Sequence, residues 1–271
     1  MTRKILISCL LVLTGIVRAF TTPQSPDYLI YNGDTIPVHS LSLPVEFCNA
    51  EYILFGGKYT GWSTDCGRGY MADWEIVDSF LYLTGIYSCG YSQDVIQADL
   101  NALFKGRVDN GKVKADWITG KAFSPQGERL RYEHGGIGGF YERELELYFE
   151  KGKLISTRLY DNTKYNRTSI YVHDKEKFNE FIYSNVRWDL LPLKDTAVRV
   201  IIGFVPDENG KINDVQLMRG GKSEKIFDEE AVRVIKLIPE WEVFFSREEA
   251  VRMRWIQPIT FTKENREKYG K

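Results

Sequence analysis

Between residues 197 and 261 the hydrophobic period changes twice, and few arrangements accommodate that order of changes. Val198, Val200, Ile202 and Phe204 alternate, Asp207-Glu208-Asn209-Gly210 follows, and Ile212, Val215 and Leu217 return over residues 211–219. Alternation together with an Asn-Gly turn predicts a β-hairpin. Phe227, Ala231, Val234, Ile235 and Ile238 then fall at i, i+4, i+7, i+8 and i+11, one face of an α-helix over 227–238. Asp228, Glu229 and Glu230 stand in its first turn, where the helix dipole favours negative charge, and Lys236 lies near its end. Pro239 stops it. Val251, Met253, Trp255, Ile259 and Phe261 resume alternation and predict a strand over 251–261. Pro258 cannot donate a ladder hydrogen bond, so this strand sits at an edge or ends there. Upstream, Phe178, Phe181 and Ile182 share a face and predict a helix over 174–185.

The preceding residues follow another pattern, short alternating or apolar runs broken by glycine turns. Residues 27–31 form a short strand closed by Asn32-Gly33. Runs at 69–76 and 79–86 make a hairpin around Val77-Asp78-Ser79, with Trp74, Ile76, Phe80, Leu81 and Leu83 available for packing. Val95, Ile96, Leu100, Leu103 and Phe104 recur at roughly helical spacing and predict a short helix over 94–104. Residues 113–120 read as another strand. Over 141–149, Glu142, Glu144 and Glu146 alternate with Arg143, Leu145 and Leu147, the period of a half-exposed strand. Glu150-Lys151-Gly152-Lys153 then turns the chain into a partner strand over 154–160. The expected fold class is α+β: a mostly antiparallel β domain, then a unit of hairpin, helix and long C-terminal strand with an upstream helix. Charge divides near the same place, with 17 Lys+Arg against 22 Asp+Glu over residues 20–185 and 16 against 15 over 186–271. The whole chain is net -1, which gives no support to nucleic-acid binding.

The order strand, turn, strand, helix with Pro-x-Trp at its exit, then a long strand resembles the C-terminal domain of TonB, the energy transducer of outer-membrane transport. The resemblance spans roughly residues 185–261. It is carried by residues 198–205, the Asn209-Gly210 turn, Val215, Phe227-Asp228-Glu229-Glu230-Ala231, Pro239-Glu240-Trp241, and the ending Pro258-Ile259-Thr260-Phe261. It implies two helices against a three-stranded antiparallel sheet, and a protein partner taken by strand addition at the last strand. Val251, Arg252, Met253, Arg254, Trp255, Ile256 and Gln257 would carry that binding, with Arg252 and Arg254 placed to meet acidic groups. The partner so implied is a protein such as an outer-membrane transporter or its N-terminal segment. TonB-like domains also exchange strands between chains, which leaves a homodimer open. Where family members often place a Pro-Gly turn after the tryptophan and a glycine before the last strand, this chain has Glu242-Val243-Phe244-Phe245-Ser246-Arg247-Glu248-Glu249. It also has a β domain in place of the long spacer a transducer needs. Arg68-Gly69-Tyr70-x-Ala72-x-Trp74-Glu75-Ile76, Leu81-Tyr82-Leu83 and Ala115-Asp116-Trp117-x-x-Gly120 resemble an uncharacterised domain of exported Bacteroidetes proteins, which carries no assigned function.

Residues 1–19 read as a secretory signal peptide. Arg3 and Lys4 make a positive start, residues 5–17 an apolar stretch, and Val17-Arg18-Ala19 a small-x-small cleavage site, so the mature chain begins at Phe20. A lipoprotein box at Leu6-Ile7-Ser8-Cys9 is the weaker reading, because most of the apolar stretch follows Cys9. As an uncleaved anchor the stretch would cover only about 20 Å of a ~30 Å membrane core. The expected organisation is therefore a signal peptide at 1–19, a β-rich domain at 20–170, a TonB C-terminal-like domain at 171–265 and a polar tail at 266–271. Export puts Cys48, Cys66 and Cys89 in an oxidising compartment, where three cysteines allow one internal bridge. A Cys66–Cys89 pair would clip a hairpin; three buried thiols acting as small apolar residues is the other reading.

No nucleophile elbow, P-loop or His-Glu-x-x-His motif is present, and His39, His134 and His173 are scattered, so neither metal nor cofactor is expected. Gly135-Gly136-Ile137-Gly138-Gly139 precedes a strand rather than a helix and reads as a hairpin loop. Asp73 with Glu75, and Asp116 beside Trp117, are the only carboxylates suggestive of a glycosidase pair on an aromatic platform, and solvent-facing strand residues account for them better. The expected function is that of an exported, non-enzymatic protein, periplasmic or outer-membrane-associated, with no membrane span beyond the signal segment. Two alternatives remain: an inner-membrane-anchored TonB-type transducer, and an enzyme or carbohydrate-binding module in the aromatic-rich N-terminal domain.

Overall fold

The computed structural model describes residues 22–47, 54–57, 63–89, 95–133, 136–220 and 225–270. The expected signal segment, the box ending at Cys9, Cys48, His134 and Asp94 lie outside the described residues. The fold is α+β, with more strand than helix.

The N-terminal unit contains β1 (Asp27–Tyr31), β2 (Asp34–Val38), β3 (Tyr70–Val77), β4 (Phe80–Ser88), a one-turn helix α1 (Leu100–Leu103), β5 (Val108–Asp109), β6 (Lys112–Lys114), β7 (Gly120–Tyr132), β8 (Gly139–Glu150) and β9 (Lys153–Asp161). Asn32-Gly33 turns β1 into β2, and Asp78-Ser79, both at positive φ, turn β3 into β4, as a two-residue hairpin turn requires. The strands run β2-β1-β3-β4-β9-β8-β7, with β5 and β6 beside β4. The sheet is mixed rather than wholly antiparallel, because β1 pairs parallel to β3. Its two ends meet: His39, just after β2, exchanges backbone hydrogen bonds with Phe123 of β7 at 2.8 and 3.2 Å. That bridge, with the Ser124 hydroxyl donating to the Pro37 carbonyl, covers part of both edge strands. Leu29, Val38, Ala72, Trp74, Leu81, Leu83, Ala122, Leu147 and Phe149 are fully buried inside it. Cys66 and Cys89 are bonded, with Cα atoms 6.1 Å apart, across the open end of the β3–β4 hairpin.

Three local expectations are corrected and one strand is added. The helix over 94–104 reduces to α1, because residues 96–98 are extended and bond back to Ile86 and Ser88 of β4. The strand over 113–120 stops at Lys114; the chain then bends so that the Trp117 indole N–H reaches the Ser42 carbonyl at 2.9 Å. Strand β7 has no alternation to announce it, since Pro125 and Gly127 interrupt it and register shifts follow Gln126 and Arg129. Glu144, in the glutamate row of β8, is buried.

The C-terminal unit contains α2 (Ile170–His173), α3 (Lys175–Ser184), β10 (Val198–Pro206), β11 (Ile212–Arg219), α4 (Lys225–Lys236), a small hairpin of β12 (Phe245–Ser246) and β13 (Glu249–Ala250), β14 (Trp255–Phe261) and α5 (Lys263–Tyr269). Strands β11-β10-β14 form an antiparallel sheet. Asp174 caps α3 by accepting from the N–H groups of Glu176 and Lys177. Phe178, Ile182, Val200, Ile202, Phe204, Phe227, Val234, Ile235, Ile259 and Phe261 make one core around Trp241, whose ring lies 5.0 Å from Phe204 and 5.5 Å from Trp255. The last strand begins at Trp255 rather than Val251. The expected polar tail is α5, whose Arg266 donates to the carbonyls of Leu191 and Trp188 and whose Tyr269 lies 5.7 Å from Tyr183. The expected boundary at residue 170 falls at the first residue of α2. Among the described residues no helix is long and apolar enough to cross a membrane.

Candidate functional site

The orientation of β14 follows from one residue. The Thr260 N–H donates to the Tyr183 hydroxyl at 3.2 Å, and its carbonyl accepts from the Asn265 amide at 3.0 Å, so Thr260 faces away from β10. In an antiparallel ladder the backbone groups alternate sides. Ile256 and Pro258 therefore also face outward, while Trp255, Gln257, Ile259 and Phe261 face β10. Of the seven residues expected to take a partner strand, Ile256 presents both backbone groups outward from within the strand. Beyond it Pro258 offers only a carbonyl and Thr260 is capped. Residues 251–254 are irregular, with the Val251 N–H held by the Phe244 carbonyl at 2.9 Å. Arg252, Arg254 and Ile256 are exposed, and the residues between them are half-buried.

Trp255 points inward, where the Arg131 guanidinium of β7 covers its ring at 4.3 Å. The indole N–H groups of Trp241 and Trp255 find no acceptor among the described residues. Arg131 also lies 3.7 Å from buried Glu242, which bonds His173 Nε2 at 2.8 Å. Residues 242–249 are thus what docks the two units. Val243 and Arg167 exchange backbone hydrogen bonds at 3.0 Å, Phe244 stacks on Phe140 at 5.6 Å, and the Phe245 N–H reaches the Asn166 side chain at 3.0 Å. Ser246 donates to Glu144 at 2.7 Å, and the Arg247 N–H to buried Asn162 at 2.8 Å. Arg247 and Glu248 form the hairpin tip at φ 53° and 67°. Such a conformation costs a non-glycine residue about 1–2 kcal/mol. The Arg247 guanidinium over Phe123 at 4.4 Å and the Glu248–Arg158 pair at 2.6 Å help hold it.

A third cluster escaped the sequence reading because it joins distant segments. Glu230, expected only as a first-turn charge, lies buried in α4 and accepts from the Arg187 N–H at 2.7 Å and from the guanidinium groups of Arg187 and Arg233. Burial pushes its carboxyl up, but the hydrogen bonds from Arg233 and Arg187 outweigh this and bring it down to about 2.

Among the described residues the N-terminal tryptophans form no open platform. Trp74 is fully buried, its indole N–H donating to buried Asp27 at 3.1 Å beside Arg68 at 2.7 Å. Trp117 packs on Phe104 and Trp74, with ring centroids 5.7 and 6.4 Å away. Asp116 pairs with Arg107 and Glu75 with Lys112. Asp73 lies in a shallow recess with Tyr28, Ile30, Thr35 and Thr84, and burial raises its carboxyl pKa against the opposing hydrogen bond with Tyr87. Among the described residues no group of three His, Cys, Asp or Glu side chains stands together to hold a metal ion. Compared with family models, curated proteins and solved structures, the chain matches none.

Proposed function

We propose that this is an exported, non-enzymatic protein of the periplasm or outer membrane, whose TonB-like C-terminal unit binds a protein partner by strand addition at residues 251–257. Two helices packed on the β11-β10-β14 sheet support the resemblance, as does the Pro-x-Trp exit of α4 leading to the central Trp241. The observation that carries the reading is the outward backbone of Ile256, unpaired and next to a deliberately closed Thr260. An extended segment entering there would pair with the outward groups of Ile256 and stop at Pro258, which lacks a donor. Main-chain hydrogen bonds would supply affinity, and Arg254 and Ile256 the selectivity. The dock at 242–249 fixes this entry against the N-terminal unit, which fits a binding module no longer serving energy transfer.

The test is fluorescence anisotropy with labelled N-terminal segments of outer-membrane transporters. Met253→Pro should abolish binding while circular dichroism stays unchanged; equal binding by the variant overturns strand addition at this edge. N-terminal sequencing of the mature protein checks the address. A terminus at Phe20 in the soluble periplasmic fraction is expected, and retention of residue 1 in the inner membrane would instead indicate a transducer.

A further inference from the structure

The three-stranded sheet has a second face, turned away from α3 and α4. Its register sets Arg219, Ile201 and Pro258 in one row, and Gln216, Gly203 and Ile256 in the next. Arg199 and Thr260 lie at one end, Asp214 and Val205 at the other. A Cβ on Gly203 would stand 2.9 Å from Met218 Sδ and 3.6 Å from Arg254 Cδ, so those two side chains fold over the middle of the face from opposite sides. Met218 is 47% exposed and Ile256 53%, which makes the centre apolar and accessible. Arg199, Arg219 and Arg254 stand exposed around it, and no ion pair holds any of the three among the described residues. By contrast Arg68, Arg107, Arg131, Arg158, Arg187, Arg233 and Arg247 each have a carboxylate partner. The face holds one carboxylate, Asp214, which accepts from Gln216 at 3.2 Å.

We propose that this face binds an acidic amphipathic helix of a protein partner; it shares Arg254 and Ile256 with the strand-addition edge but is engaged through side chains and not through open backbone groups. The charge complement is three arginines around an apolar centre, which selects acidic residues flanking an apolar stripe. The helical form follows from hydrogen bonding. Inside the sheet face the backbone groups are already spent on the β11-β10-β14 ladders, so an occupant lying across it must satisfy its own, as a helix does. From Arg199 to the level of Arg254 is about six residues of strand, or roughly 20 Å, a span matched by about 13 residues of helix. Met218, unbranched and polarisable, suits a surface that must adapt to such a ridge.

The experiment uses the full chain and two labelled 14-residue peptides with leucine at helical spacing, one with glutamate at all other positions and one with lysine. The glutamate peptide should bind, weaken as sodium chloride is raised, and gain helical circular dichroism on binding. Arg199→Glu with Arg219→Glu should weaken it about tenfold or more and favour the lysine peptide. Met253→Pro should leave it unchanged, which separates this face from the proposed edge; loss of binding in Met253→Pro alone assigns the peptide to the edge and overturns the inference. Equal binding of both peptides, or indifference to the arginine reversals, also overturns it. Arginine-dependent binding to vesicles containing phosphatidylglycerol, with no binding of the glutamate peptide, would replace the helix by a membrane surface.

Discussion

Arg247, at the tip of the β12–β13 hairpin, donates its backbone N–H to the side-chain oxygen of Asn162 at 2.8 Å, and Asn162 is fully buried. The same amide donates to the Tyr141 carbonyl and to Glu144, each at 3.0 Å. Asn162→Ala leaves the Arg247 N–H, the Tyr141 carbonyl and the Glu144 carboxylate short of partners at once. A cost of about 2–4 kcal/mol is expected. Urea unfolding should show the lowered midpoint, and limited proteolysis should now cut within residues 242–250. A variant as protease-resistant as the parent would mean the dock does not depend on this amide.

The Glu230 network makes acid stability specific. Its folded-state pKa of about 2 lies below its ordinary value of 4.5, so the network stabilises fully above that ordinary value and its contribution fades as pH falls to about 2. The shift sets an upper bound of about 3 kcal/mol, which solvent screening at the half-exposed Arg187 reduces. Glu230→Gln should lose up to that much at neutral pH and show a flatter dependence of urea midpoint between about pH 2 and 4.5. Other carboxylates titrate in the same window, but subtracting the two curves isolates Glu230. Parallel curves would sink the assignment.

The Cys66–Cys89 bond closes a loop with a sequence separation of 23, which the chain-entropy relation values at about 3 kcal/mol. Both sulfurs are buried, at 5% and 1% exposure of their residues. Dithiothreitol alone should therefore leave the bond intact under native conditions, and reduce it when urea opens the N-terminal unit. Cys66→Ala with Cys89→Ala should lower the thermal midpoint and remove its dependence on reductant. Mass spectrometry of alkylated protein checks the first expectation and calorimetry the second.

What the sequence made legible was what depends on neighbours. The face of α4, the shared face of Phe178 and Ile182 on α3, the Asn-Gly and Asp-Ser turns and the β10–β11 hairpin all follow from residues within a few positions of one another. The contacts that define the sites do not. Asn162 and Arg247 are 85 residues apart, Arg187 and Glu230 43, and Tyr183 and Thr260 77. Alternation over 251–261 predicts one strand because side chains at 251–254 keep alternating in exposure after the ladder with β10 has ended at Trp255. Strand β7 is hidden for the opposite reason: it pairs through Pro125 and resumes at Arg129 beyond the bulge at Gly127, and these two residues erase the alternation.

The cap on Thr260 gives a prediction about self-association. An outward strand edge is a template for another chain, and proteins close such edges or keep them short. Here closure comes from two side chains, the Tyr183 hydroxyl and the Asn265 amide, with Pro258 withholding a donor between them and Ile256. Tyr183→Phe with Asn265→Ala should free both Thr260 groups and lengthen the open edge at a cost of about 1 kcal/mol per lost hydrogen bond. Sedimentation velocity should then show a concentration-dependent dimer that the parent lacks, and adding Ile256→Lys should suppress it. If the double variant sediments as the parent does, edge protection is not the role of these contacts; Tyr183 and Asn265 then merely fasten α3 and α5 to the sheet.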